Sequence, residues 1–168
     1  IGTGTSAVTV YLGLRDDPRS IGGTGGNVWV SRDLDHDDLP SQSDALLSGS
    51  PRNAFVSFSS VKSGETHHTA EIISFVDADA FAAWRNTPRG NRGADYSALK
   101  QRIGSGLIDL AETAIPGLKD LVDYVEVSTP LTVEHYTSHP QGAFYGLPST
   151  PERYRFSFGP VTPVEGLY

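Results

Sequence analysis

Cysteine is absent from this chain of 168 residues. Disulfides, thiolate catalysis and cysteine-ligated metals are therefore excluded, while the redox compartment is left open. Methionine is absent too, the initiator included, which predicts a piece excised from a longer translated chain. Cations are in deficit, with 13 Lys and Arg against 20 Asp and Glu, a net charge of -7 and a pI near 5.1. That balance argues against a nucleic-acid surface and against anchoring on an anionic membrane by charge. No apolar run approaches the length of a membrane span, and no charged-then-apolar leader opens the chain. The expectation is a soluble, cytoplasmic protein.

What is present reads as one globular domain: 38% hydrophobic and 20% charged residues are ordinary values. Ala7 to Leu14 alternates, with Val8, Val10, Leu12 and Leu14 on one face and Thr9 and Tyr11 on the other, as in a half-buried strand. Arg15 to Gly26, with Asp-Asp-Pro and two Gly-Gly pairs, is a wide loop. Asn27 to Arg32 then reads as a strand returning beside the first, a long-loop hairpin. A short helix is expected around Ala45, Leu46 and Leu47, ended by Gly49-Ser50-Pro51. Asn53 to Ser59 and Thr69 to Val76 read as an antiparallel pair across Lys62-Ser63-Gly64-Glu65. Asp77 can cap a short helix whose Phe81 and Trp84 face inward, and a basic loop, Asn86 to Gly93, follows.

Ala94 to Ala114 carries the clearest helical stripe: Tyr96, Leu99, Ile103, Leu107, Leu110 and Ala114 recur at three- and four-residue steps. Gly104 and Gly106 inside it each cost about 1 kcal/mol relative to alanine, so they predict a close approach by a sheet or another helix. Leu121 to Val127 is strand-like, and Thr129-Pro130 starts a short helix reaching Tyr136. The fold class is α+β, with about five mainly antiparallel strands, one long helix and several short ones packed on the sheet.

Sites legible from residue type alone are few. The glycines of Ile1 to Ser6 precede a strand, whereas a dinucleotide fingerprint follows one. Asp33 to Asp38, DLDHDD, lacks the ligand spacing and glycine of a calcium loop. His67 and His68 are neighbours in an extended chain and point to opposite sides. Glu134, His135 and His139 do not form H-E-x-x-H, and Ser105 does not sit on a nucleophile elbow. No metal site and no catalytic residue is assigned.

The stretch 128–168, STPLTVEHYTSHPQGAFYGLPSTPERYRFSFGPVTPVEGLY, combines prolines outside any helical pattern with Gly-aromatic corners at Gly142 to Gly146 and at Phe158-Gly159-Pro160. Such a segment is a shaped, irregular wall. Its words TPLTVEHYTSHPQGAFYGLP and GPVTPVEGLY resemble the C-terminal half of the FAD-dependent phytoene desaturase and carotenoid isomerase family, relatives of the amine oxidases. AVTVYLGLRDD, NVWV with DLDHDD, and HTAEIISFVD agree in order, so the resemblance covers nearly the whole chain. It implies a substrate-binding domain, residues 1–168, of a larger FAD-dependent desaturase or isomerase acting on an apolar, carotenoid-like polyene. The Rossmann domain that grips FAD has no counterpart here.

By the same resemblance, Gly142, Ala143 and Gly146 would lie near the flavin of the parent enzyme, and Phe144, Tyr145 and Tyr136 would contact substrate. FAD is expected in the parent chain and none in this piece, which would be inactive alone. Its partners would be its own FAD-binding domain and an apolar small molecule, without nucleic acid. Self-association through an exposed apolar face is expected, and the parent enzyme would be peripheral to a membrane. Two other readings stay open: a self-contained module for an apolar ligand without redox chemistry, and a structural or interaction domain.

Overall fold

The computed structural model describes residues 4–34, 39–144, 148, 150–155 and 162–167. Five strands, β1 (Ser6–Leu14), β2 (Val28–Ser31), β3 (Asn53–Ser57), β4 (Thr69–Val76) and β5 (Val122–Ser128), form one sheet in the order β2-β3-β4-β1-β5. Each neighbouring pair is antiparallel. The helices are α1 (Leu39–Leu47), α2 (Ser59–Ser63), α3 (Gly93–Ala114), α4 (Leu118–Leu121), α5 (Pro130–Thr137) and α6 (Pro151–Arg155), with a 3-10 helix at Ala78–Trp84. The α+β class, the antiparallel sheet and the single long helix are as the periodicity predicts.

The strand alternation sorts the sheet into two faces. Val8, Val10 and Leu12 of β1 stand opposite Ser74, Ile72 and Ala70 of β4, and Val10 opposite Val127 of β5. With Ala54 and Val56 of β3, these side chains are 8% exposed or less and receive α1 and α3. From α3 come Leu99, Ile103, Leu107 and Leu110, all buried, and Ala111. Ala111 takes the place expected for Ala114, which is exposed. At about 25 cal/mol per Å² of apolar area, each such large side chain contributes roughly 1.5–3 kcal/mol on burial.

Both glycines of α3 mark close approaches. A Cβ on Gly104 would stand 3.0 Å from Cγ2 of Val127, and one on Gly106 only 2.3 Å from the carbonyl oxygen of Gly49. The helix thus lies against the sheet at one glycine and against the turn after α1 at the other. Tyr96 and Thr129 add a buried hydroxyl pair at 2.7 Å that ties α3 to the start of α5.

The expected hairpin of Ala7–Leu14 with Asn27–Arg32 does not form. β2 pairs with β3 at one end of the sheet, and β1 lies between β4 and β5 towards the other. The loop after β1 has no two-residue turn that would impose a register. Its Asp17 instead caps a 3-10 turn at Pro18–Ile21, and Leu14 and Arg15 hydrogen-bond to His68 and Leu121.

Candidate functional site on the open sheet face

The second set of alternating side chains covers the sheet face away from α1 and α3. The register places Trp29 opposite Phe55, Phe55 opposite Ile73, Ala7 opposite Phe75, Thr9 opposite Ile73 and Tyr11 opposite both Glu71 and Glu126. Trp29 meets Phe55 edge-on at 5.0 Å between centroids and is 67% exposed, with Tyr11 at 45%. Phe55, Ile73 and Phe75 are half-buried. A strand such as β4, apolar on both of its faces, has a use for the second one, since side chains of this kind are seldom left in contiguous contact with water.

The wall of this face is built by α5 and the turn that follows it. Thr129 starts α5, its backbone N–H donating to Thr132 Oγ1 at 3.3 Å. After Thr137 the chain turns through Ser138 and Gln141, both at φ 59°, and Gly142 at φ 62°. Glu134 accepts the Gln141 N–H at 3.0 Å, His139 Nδ1 is 3.2 Å from the Ala143 carbonyl, and Ser6 donates to the Gln141 carbonyl at 2.7 Å. The Phe144 N–H donates to the Thr5 carbonyl at 2.9 Å, which fixes this residue beside the start of β1. Glu134 and His139 thus shape a turn, and no group of three or more metal-ligating side chains occurs among the described residues.

Phe144 separates two hollows on the open face. One, about 370 Å³, is lined by Trp29, Phe55, Ile73, Phe75 and Phe144. The other, about 650 Å³, has Phe144 together with Tyr11, Tyr136, Arg89 and Glu126 in its wall. Tyr136 is 63% exposed; its ring lies 4.8 Å from the Arg89 guanidinium, which also donates to its hydroxyl. Phe144 and Tyr136 therefore reach the same hollow.

Gly142 and Ala143 are placed differently. Both are buried, and a Cβ on Gly142 would fall 2.2 Å from the Pro130 carbonyl oxygen. The space that this glycine leaves is filled by α5 backbone, so it forms no open cradle for a dinucleotide. Tyr145 and Gly146 lie outside the described residues, as do Asp35 to Asp38 of the acidic run. Asp33 forms a two-pronged ion pair with Arg52 at 2.9 and 3.0 Å.

The residue-by-residue reading missed Trp29, Phe55, Ile73 and Phe75 as a group. The signal was the strand pattern itself: Phe55 is out of step with Ala54 and Val56, and Ile73 and Phe75 with Ile72 and Ser74. Joining them required the sheet order, which periodicity does not supply.

Fold and site together define an α+β domain with one face of its sheet covered by helices and the other presenting aromatic side chains to a pair of hollows. No family model matches the chain. It is similar to the all-trans-retinol 13,14-reductase of Danio rerio, 23% identical over 179 aligned positions that take in 98% of this chain and 30% of that protein. The Rattus norvegicus protein of the same name is 30% identical over 92 residues, 52% of this chain and 15% of its own length. The Homo sapiens one is 32% identical over 66 residues, covering 39% and 11%. The chain thus spans less than a third of the length of these relatives. Their name is that of a reductase, and neither desaturation nor isomerisation appears in it.

Proposed function

We propose that this chain is part of an FAD-dependent oxidoreductase acting on a conjugated apolar substrate of the retinoid or carotenoid kind, and that its open sheet face is a wall of the substrate site. The observation that carries the reading is the match to a retinol reductase along 98% of the chain. The exposed aromatic surface at Trp29, Phe55 and Phe75 is the feature such a substrate would need, because a long polyene gains most from contact with flat, apolar side chains. Phe144 and Tyr136, singled out from the resemblance, line the adjoining hollow.

The described residues do not fit FAD. Gly142 is closed off by Pro130, Ala143 is 3% exposed, and no glycine-rich strand-to-helix turn occurs among the described elements. In this proposal the flavin is held by residues other than these, supplies the redox chemistry, and relies on this chain to orient and dry the substrate. No step of the reaction is assigned to a side chain here.

The test is tryptophan fluorescence with all-trans-retinol as the probe. Trp29 stands in the apolar hollow and the only other tryptophan, Trp84, packs against Tyr96. Retinol should quench Trp29, Trp29→Phe should remove most of the quenching, and Phe55→Ala should weaken binding several-fold. Absence of quenching at micromolar retinol would sink the substrate-wall reading. The flavin part is tested separately: a protein carrying this chain that purifies without flavin would leave the ligand-binding module in its place.

A further inference from the structure

The two hollows on the open face lead to a third, more polar one beyond the β5 edge of the sheet. The apolar hollow meets the middle one at Phe144. The middle one shares Arg89, Glu126 and Thr132 with the third, about 520 Å³, at the start of α3, where Arg92 and Lys100 join the wall. In a chain of net charge -7, this is a local concentration of cations.

Their pairing is uneven. Lys100 is neutralised by Glu126 at 3.0 Å, and the other oxygen of Glu126 accepts from the Tyr124 hydroxyl at 3.4 Å. Arg89 and Arg92 have no carboxylate partner among the described residues. Both guanidiniums lie over rings instead, Arg89 at 4.8 Å from Tyr136 and Arg92 at 5.3 Å from Tyr96. The Nε of Arg92 is buried without a hydrogen-bond partner. That nitrogen is shut off from the hollow, so the donors left to a ligand are the terminal ones of each guanidinium, whose fork a carboxylate satisfies with two parallel bonds. Arg92 also precedes the first turn of a 22-residue helix and makes no side-chain cap of its own, so the local field favours an anion there.

We infer that the trough takes an amphiphile, its apolar conjugated body along Trp29, Phe55 and Phe144 and an anionic oxygen head, a carboxylate, held by Arg89 and Arg92. The inference rests on the proposed reading of the open face as a polyene surface and adds the end-group chemistry. A ligand apolar at both ends would leave the two arginines as they are, and a neutral hydroxyl could satisfy one donor without offsetting the charge.

Three probes with the same conjugated C18 tetraene body separate the possibilities: parinaric acid, the matching alcohol and the matching hydrocarbon, each titrated against the 168-residue chain. The acid should bind about tenfold more tightly than either neutral probe, the scale expected of one charge-assisted contact. Raising salt to 1 M should erase that advantage. Arg89→Gln, at an exposed position, and Arg92→Gln should each weaken the acid alone, whereas Phe55→Ala should weaken all three by the same factor. Circular dichroism verifies that each variant is folded.

Equal affinity for acid and alcohol, or a loss on Arg89→Gln that is the same for all three probes, overturns the head-group inference while the polyene surface stands. Binding of none of the three removes both.

Discussion

A glycine can be required for what it lacks, and Gly142 and Gly106 are two such cases. At Gly142 a methyl group would meet the Pro130 carbonyl at 2.2 Å in a backbone conformation, φ 62°, that side chains resist. Gly142→Ala should therefore lower stability by about 1–3 kcal/mol, the range for overpacking, seen as a reduced midpoint in urea. Unchanged stability would show that the turn is not held as described. Gly106→Ala meets the Gly49 carbonyl at 2.3 Å and should cost a similar amount.

Ionisation makes a second prediction at the same scale. Glu112 accepts the backbone N–H of Gly117 at 2.8 Å and of Lys119 at 2.9 Å. These bonds, Gly117 first, hold its carboxyl below the ordinary glutamate value of 4.5, with the charge of Lys119 assisting. A depressed folded-state pKa stabilises the fold above the unfolded value and ceases to do so as pH falls through the folded one. Glu112→Gln should thus cost about 1 kcal/mol near neutrality, as the loss of a cap does. The difference from the wild type should shrink as pH is taken below 4.5, toward the depressed value. Urea titrations at pH 7 and pH 3 measure it; a constant difference would mean that the charge is not responsible.

At the scale of elements, α3 and α5 are joined by one buried polar contact, Tyr96 to Thr129. Tyr96→Phe leaves the Thr129 hydroxyl, 0% exposed, without this partner and should cost roughly 1–3 kcal/mol. Because α5 carries the turn to Phe144, the same change should also weaken retinol binding, a coupling that a purely local loss would not produce. Elements were the most legible level of the sequence. The α3 stripe, the Thr129-Pro130 start and the alternation in β1 and β4 are local patterns, and local patterns survive without tertiary knowledge. Strand pairing is not local. β2 went to β3 because nothing in the loop after β1 enforces a hairpin, and the open-face cluster depends on that pairing. At Gly142 the glycine lets two backbone segments touch, a use that residue type alone does not reveal.

For the whole molecule, the face with Trp29 at 67% and Tyr124 at 60% exposure predicts association. The chain alone should bind a hydrophobic dye and run larger than a monomer in light scattering, and retinol should reduce both effects by occupying the surface. A monodisperse, dye-free monomer would argue against that surface being available. Among the described residues no helix is long and apolar enough to cross a membrane.

The position of β1 also governs how the molecule is assembled in time. It precedes the other four strands of the sheet in sequence, yet it is an inner strand whose two neighbours are the fourth and fifth: Ser6 meets Val76 and Thr9 meets Ser128. Closing such distant contacts is entropically slow. During synthesis Val8, Val10 and Leu12 must therefore wait unpaired until β4 has emerged, and β1 keeps an open edge until β5 follows; it is in that interval, more than in the finished fold, that folding yield will depend on concentration and on chaperones.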